Sequence, residues 1–251
     1  MATTSTIEWT EMTWNPVTGC HKVSQGCKHC YAERMAKRLQ AMGVERYSDG
    51  FTPAEHQDLL DLPKAWKKPR VIFVNSMSDL FQDAVSDNFI RRVFDTMRAC
   101  PQHTFQILTK RSTRLREFGP SLHWPDNVWM GVSVENDQVI GRVSDLSRIP
   151  AKVRFLSCEP LLGPLTHLPL EGIHWVIVGG ESGPGARYMN PEWVDSIHRR
   201  CVRSGTAFFF KQWGGVRKHK SGRLLNGRTY DEMPLISINP ANRLNFEYGT
   251  T

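Results

Sequence analysis

No stretch of about 18 consecutive apolar residues occurs in the chain, so a membrane-spanning helix is not expected. The opening residues, MATTSTIEWTEMTW, contain no basic segment followed by an apolar one, which argues against a secretory signal. Cysteine is sparse at six residues, and three of the six, Cys100, Cys158 and Cys201, lie far apart. A disulfide framework is therefore not expected; the cytoplasm is the expected compartment, and there a scattered cysteine behaves as a small buried hydrophobe. Internal repeats and low-complexity segments are lacking. So are the G-x-G-x-x-G and P-loop patterns, and no acid–base pair or nucleophile–histidine arrangement marks a hydrolase.

The charge is unbalanced. Thirty-two Lys and Arg face 25 Asp and Glu, for a net charge of +7 and an isoelectric point near 9.2. That permits a polyanionic partner, nucleic acid above all. At 251 residues, 40% hydrophobic and 23% charged, the chain can bury a large core as one barrel-like domain or two small ones.

The most informative stretch runs from Trp14 to Met42. Cys20, Cys27 and Cys30 fall there with the spacing C-x6-C-x2-C. An extended segment, Met12 to Val17, leads in. Ala32, Met35, Ala36, Leu39 and Met42 lead out at helical spacing, with Gly43 as a stop. The last cysteine thus sits at a helix N-terminus, where unpaired N–H groups and the helix dipole favour thiolate. Three thiols so placed suggest a metal. Zinc needs a fourth ligand, and His21 is a better geometric choice than His29, but the second C-x2-C of a zinc ribbon is missing. An iron–sulfur cluster on three cysteines would keep one iron open to another molecule.

Downstream, Val44 to Arg70 reads as a long connection with a short helical piece around Glu55 to Leu62, and His56 within it is expected at the surface. Short apolar strands then alternate with helices. The strands are Val71 to Asn75, Thr104 to Leu108, Val128 to Val134, Val153 to Ser157, His174 to Val178 and Ala207 to Phe210. The helices cover Asn88 to Cys100, a short piece from Ser112, a stretch through Ile140, Val143 and Leu146, and Pro191 to Ser204. This alternation predicts a parallel sheet buried on both faces. The strands end in Asp79, Lys110, Arg111, Glu135, Glu159, Glu181 and Lys211. Parallel barrels and doubly wound sheets both bind ligands at that end. Glu159 and Lys211 are expected as substrate ligands or a buried ion pair. The segment GGESGPGAR (Gly179 to Arg187) is expected to bring backbone close to a ligand with Glu181 aimed into the site. Beyond Gly215, Arg217, Lys218, His219, Lys220, Arg223 and Arg228 form a basic cluster, and an irregular terminus follows Met233.

A three-cysteine loop after the first strand of an α/β barrel, followed by a helix, resembles the radical S-adenosylmethionine (SAM) superfamily. Its commonest spacing is C-x3-C-x2-C, and Cys27-x2-Cys30 matches the second half. Residues 9 to 215 are also similar to an uncharacterised bacteriophage and prophage protein family, through WNPVTGC, GCKHCYAERMA, NSMSDLF, LTKR, NVWMGVSVEN, RFLSCEPLLGPL, GGESGPGAR and KQWGG. The superfamily resemblance implies a 4Fe-4S cluster on Cys20, Cys27 and Cys30, with SAM chelated at the open iron. It also implies reductive cleavage of SAM to a 5′-deoxyadenosyl radical that abstracts a substrate hydrogen, fed by an electron donor such as a flavodoxin or ferredoxin. By position it implies His29 near the adenine, Asp79 on the SAM amino group, Ser133 and Glu135 on the ribose, and Lys110 or Arg111 on the SAM carboxylate. Substrate contacts then fall to Glu159, Glu181 and Lys211.

The expected architecture is an incomplete parallel (β/α) barrel of about six or seven strands over residues 1–215, with a basic C-terminal extension over 216–251. The expected activity is a radical SAM enzyme modifying or repairing a nucleic acid base or nucleotide. Two alternatives are a zinc-stabilised nucleic-acid-binding protein without catalysis and a SAM-dependent methyltransferase using the GGESGPG loop.

Overall fold

The computed structural model describes residues 3–5 and 7–234. Seven parallel strands form a curled half-barrel: β1 (Met12–Trp14), β2 (Val71–Val74), β3 (Thr104–Thr109), β4 (Val128–Ser133), β5 (Val153–Cys158), β6 (Trp175–Gly179) and β7 (Ala207–Gln212). Each strand pairs with its sequence neighbours, so the order across the sheet is the chain order. A two-residue strand, Thr3–Thr4, adds antiparallel to β1. Helices α1 (Tyr31–Ala41), α2 (Asp87–Arg98), α3 (Ser112–Phe118), α4 (Gly141–Ser147) and α5 (Pro191–Ser204) make the crossovers. The β5–β6 connection has no helix and instead buries Leu161, Leu165, Leu168 and Leu170.

Local chemistry sets the helix ends. Ser86 caps α2 by accepting from the Phe89 N–H at 3.2 Å, and Asn190 caps α5 by accepting from Glu192 at 3.0 Å. Pro191 opens α5, and Gly205 closes it in the left-handed conformation at φ 66°. Two expectations change. Val17 leaves the line of β1 and pairs with Glu55 in a separate two-residue ribbon. The helical piece around Glu55 to Leu62 is two single 3-10 turns, Gln57–Leu59 and Leu62–Ala65, with Pro63 in the second.

The two faces of the sheet are filled differently. Ile72, Val74, Phe105, Ile107, Met130, Val132, Leu156, Val176, Val178, Phe208 and Phe210 pack outward under the helices, together with Cys100, Cys158 and Cys201. The alternate residues, Phe73, Trp129, Phe155, Trp175, Ile177 and Phe209, turn into the lumen. Trp9 enters from the N-terminal segment and meets Trp175 edge-on at 6.1 Å and Phe73 at 4.8 Å. Trp129 and Phe209 surround the same Trp175 at 6.2 and 6.0 Å. This aromatic layer closes the strand N-terminal end. Further along, the same inward rows carry Gly131, Ser133, Ser157 and Gly179, which leave room at the C-terminal end.

Part of the basic tail folds back onto β7. The Phe210 N–H donates to the Tyr230 carbonyl at 2.9 Å, Arg223 pairs with Asp231, and Arg228 lies 4.4 Å from the Tyr230 ring centre. The irregular terminus expected after Met233 lies, from residue 235, outside the described residues.

Gly131, the register partner of Phe155, leaves room for that ring to lie across β4: a Cβ there would stand 2.4 Å from Cε2 of the Phe155 ring. Gly131→Ala is expected to destabilise the chain by about 1–3 kcal/mol through overpacking. Urea unfolding should show a lower midpoint at unchanged slope.

Candidate functional site

The cysteine loop lies over the C-terminal ends of the strands. Cys20, Cys27 and Cys30 are half-buried, whereas Cys100, Cys158 and Cys201 are buried. Cys30 is the N-cap residue of α1, with no side-chain capping bond of its own. A 3-10 turn, Gln25–Cys27, fills the approach to it. Burial and then the negative charge of Asp79 push the Cys20 thiol up to about 12, with Arg111 pulling the other way. Metal binding would displace that proton. Among the described residues no three His, Cys, Asp or Glu side chains converge as a site for one ion.

Three buried carboxylates stand at the mouth, each with its own arginine. Asp79, after β2, accepts from the Thr109 hydroxyl at 2.7 Å, the Phe81 and Lys110 N–H groups at 3.0 and 2.9 Å, and Arg111 at 3.1 Å. Glu135, after β4, accepts from Arg142 at 2.8 Å on one oxygen and from the Ser24 hydroxyl at 2.6 Å on the other. Glu181, after β6, accepts from Arg187 through Nε at 2.8 Å, Nη2 at 2.5 Å and its backbone N–H at 3.0 Å. The second amino group of Arg111 donates to the His21 carbonyl, and Arg187 Nη2 donates to the Gln25 carbonyl at 2.9 Å. The three pairs therefore reach the cysteine loop at His21, Ser24 and Gln25.

The other expected residues fall into two sets. Lys110 and Ser133 are together at the mouth, Nζ donating to the hydroxyl at 2.9 Å; among the described residues no carboxylate pairs with Lys110. Lys211 bonds both Glu159 oxygens at 2.9 and 3.0 Å, so the two form an ion pair. Burial works against the Lys211 ammonium, but Glu159 outweighs it and holds the group above its ordinary value. Gln212 beside them donates to the Gly180 carbonyl at 2.8 Å, while its buried side-chain oxygen has no partner. His29 faces the Pro184 carbonyl at 3.3 Å. His56, expected at the surface, is half-buried and 2.7 Å from the Thr18 hydroxyl.

What GGESGPGAR approaches closely is the cysteine segment itself. A Cβ on Gly185 would lie 2.6 Å from the His29 ring, and one on Gly183 would lie 2.4 Å from Arg34. Arg34 in turn donates to the Ser182 carbonyl at 2.9 Å. Sequence reading missed Ser24, Arg34, Arg142 and Arg187. Arg142 and Arg187 follow Glu135 and Glu181 by seven and six positions, and a carboxylate destined for burial needs such a partner. Among the described residues a surface cavity of about 1190 Å³ lies by the N-terminal ends of β6 and β7, and another of about 530 Å³ lies beside α5.

Burial alone would raise the Glu181 carboxyl, yet the bonds and charge of Arg187 hold it below its ordinary 4.5. A depressed carboxyl stabilises the fold above the unfolded value and loses that contribution as pH falls through the folded value. The stability difference between the wild type and Glu181→Gln should therefore be constant above pH 4.5 and shrink below it, as read by thermal melts across pH.

The fold has solved counterparts. The chain is similar to spore photoproduct lyase complexed with dinucleoside spore photoproduct, at 13% identity and a TM-score of 0.50, with 81% of this chain and 64% of that chain covered. A variant of that lyase with dinucleoside spore photoproduct aligns at 12% identity and the same TM-score and coverage. The chain thus spans about two-thirds of the lyase's length, at 64%. No curated protein matches it in sequence. A family model described as "Protein of unknown function (DUF5131)" matches residues 4–234, and the chain belongs to that family.

Proposed function

We propose that this chain is a radical SAM enzyme that carries a 4Fe-4S cluster on Cys20, Cys27 and Cys30 and acts on a nucleic acid base or nucleotide. One observation carries the reading. Of six cysteines, only these three are half-exposed, and they share one loop over the polar end of a parallel half-barrel whose other end is sealed by aromatics. The donor set fits the group. Three thiols leave one coordination position for SAM, and Cys30 at the N-terminus of α1 places the cluster's negative charge by unpaired helix N–H groups. When bound, the cluster and SAM supply an electron and a hydrogen-abstracting radical, the electron coming from a flavodoxin or ferredoxin.

The chain's own residues bind and shield. Lys110, half-buried and without a carboxylate partner among the described residues, is the cation for the SAM carboxylate; Arg111 is already engaged by Asp79. Ser133 lies beside Lys110 and offers a hydroxyl to the same ligand. Asp79, which accepts four bonds from protein donors, and Glu135, held by Arg142 and Ser24, position the loop on which the metal ligands sit. Glu159 and Lys211 present a mutually neutralised pair toward the substrate, with the Gln212 amide bonded beside them. The aromatic layer keeps water out from below. A net charge of +7 suits a polyanion, and the lyase of similar fold is complexed with a dinucleoside photoproduct.

The test is anaerobic purification, reconstitution with iron and sulfide, and absorbance and low-temperature EPR with and without SAM. The expected result is a reduced-cluster signal that shifts when SAM is added, together with 5′-deoxyadenosine in the product mixture. A colourless protein with one zinc per chain, or a cluster blind to SAM, overturns the proposal. Cys27→Ala should lose the cluster. Lys110→Met should keep it while weakening SAM binding about tenfold, the effect of losing one charged hydrogen bond.

A further inference from the structure

The gap between Cys20 and Cys27 is HKVSQG, three residues longer than the superfamily's commonest first gap. Its contacts are concentrated. Arg111 from the end of β3 holds the His21 carbonyl, Glu135 from the end of β4 holds the Ser24 hydroxyl at 2.6 Å, and Arg187 from the loop after β6 holds the Gln25 carbonyl at 2.9 Å. Gly26 completes the fit, since a Cβ there would lie 2.3 Å from a Glu135 oxygen. We infer that this gap is a handle, and that Arg111, Glu135 and Arg187 are positioning residues that set Cys20 at a fixed distance from the Cys27–Cys30 pair. The inference rests on the cluster reading for its purpose, although the grip itself belongs to the polypeptide alone.

The geometry favours a grip over chance contact. A loop that carries half-exposed thiols cannot fix itself by core burial, because its own side chains His21, Lys22, Val23 and Gln25 are exposed. Each contact instead uses a group that is held from behind. Arg111 is bound by Asp79, Glu135 by Arg142, and Arg187 by Glu181. The last is braced further by β7, because the Gly215 N–H donates to the Glu181 carbonyl at 2.7 Å and Gly180 donates to Gln212 at 3.0 Å. Two more bonds, from Arg34 to Ser182 and from His29 to Pro184, tie the C-terminal side of the loop to the same β6 segment. Since β1 and β6 are separated by four strands in the sheet, these bonds span the mouth of the half-barrel. The charged ends of β3, β4 and β6 thus act through the loop.

The test begins with the metal-free chain. Thiol labelling with a maleimide, followed by tryptic peptide mapping, resolves the three cysteines because Lys22 and Lys28 lie between them. Arg187→Ala and Ser24→Ala should each label faster at Cys27, by about tenfold for the arginine, as expected for loss of one charge-assisted hydrogen bond. Labelling of Cys100, Cys158 and Cys201 should not change, which separates loosening of the loop from unfolding. Arg187→Lys should restore part of the protection, and Arg98→Ala, which removes an exposed pair with Asp95, should match the wild type.

In the reconstituted protein, Arg187→Ala should lose its cluster to a chelator faster than the wild type and show an altered EPR line shape. Wild-type labelling rates in Arg187→Ala and Ser24→Ala would overturn the handle, whatever the cofactor. A wild-type chain that binds no cluster would overturn the functional reading, while the labelling result would still decide the grip.

Discussion

Three carboxylates removed from water govern this site. Asp79, Glu135 and Glu181 are 5%, 1% and 5% exposed. An unpaired charge in such a place costs several kcal/mol even after the protein relaxes. Each is neutralised by one arginine, Arg111, Arg142 or Arg187. A guanidinium has five donors and a carboxylate about four lone-pair sites, so one partner never exhausts either group. The surplus goes to the cysteine loop, which each pair reaches through an arginine donor or a carboxylate oxygen. The charges that the sheet must satisfy for its own stability are the ones that hold the loop.

The sheet makes this possible by sorting its inward-facing residues along its length. Large aromatics crowd the strand N-terminal end around Trp175, and Gly131, Ser133, Ser157 and Gly179 follow toward the other end. Because all seven strands run parallel, every strand exit, with its polar residues, opens on the same side. A closed, dry base under a polar mouth is the arrangement that lets a few side chains set the environment of a bound ligand.

The cysteines divide along the same line. Cys100, Cys158 and Cys201 lie under the helices on the outer face, with burial pushing each thiol up. Inert packing suits them. Cys20, Cys27 and Cys30 are half-exposed on a loop whose length would otherwise leave it loose. The division was legible beforehand, because the outer three sit in apolar strand or helix patterns and the loop three do not. The helix Pro191–Ser204 and the start of α1 beside Cys30 were legible for similar local reasons, a proline at a first turn and a run of apolar spacing.

Sequence alone determined the elements, their parallel alternation and the gathering of charge at strand ends, because these depend on spacing within a few residues. It could not decide who pairs with whom. Lys110 and Arg111 are adjacent, yet the side chain of one meets Ser133 and that of the other meets Asp79. Glu181 pairs with Arg187 six positions on, and His29 meets a carbonyl 155 positions away. Such contacts follow from the curl of the sheet, which brings the loop after β1 against the loop after β6. No local pattern encodes that closure, because its partners are neighbours only once all seven strands are in register.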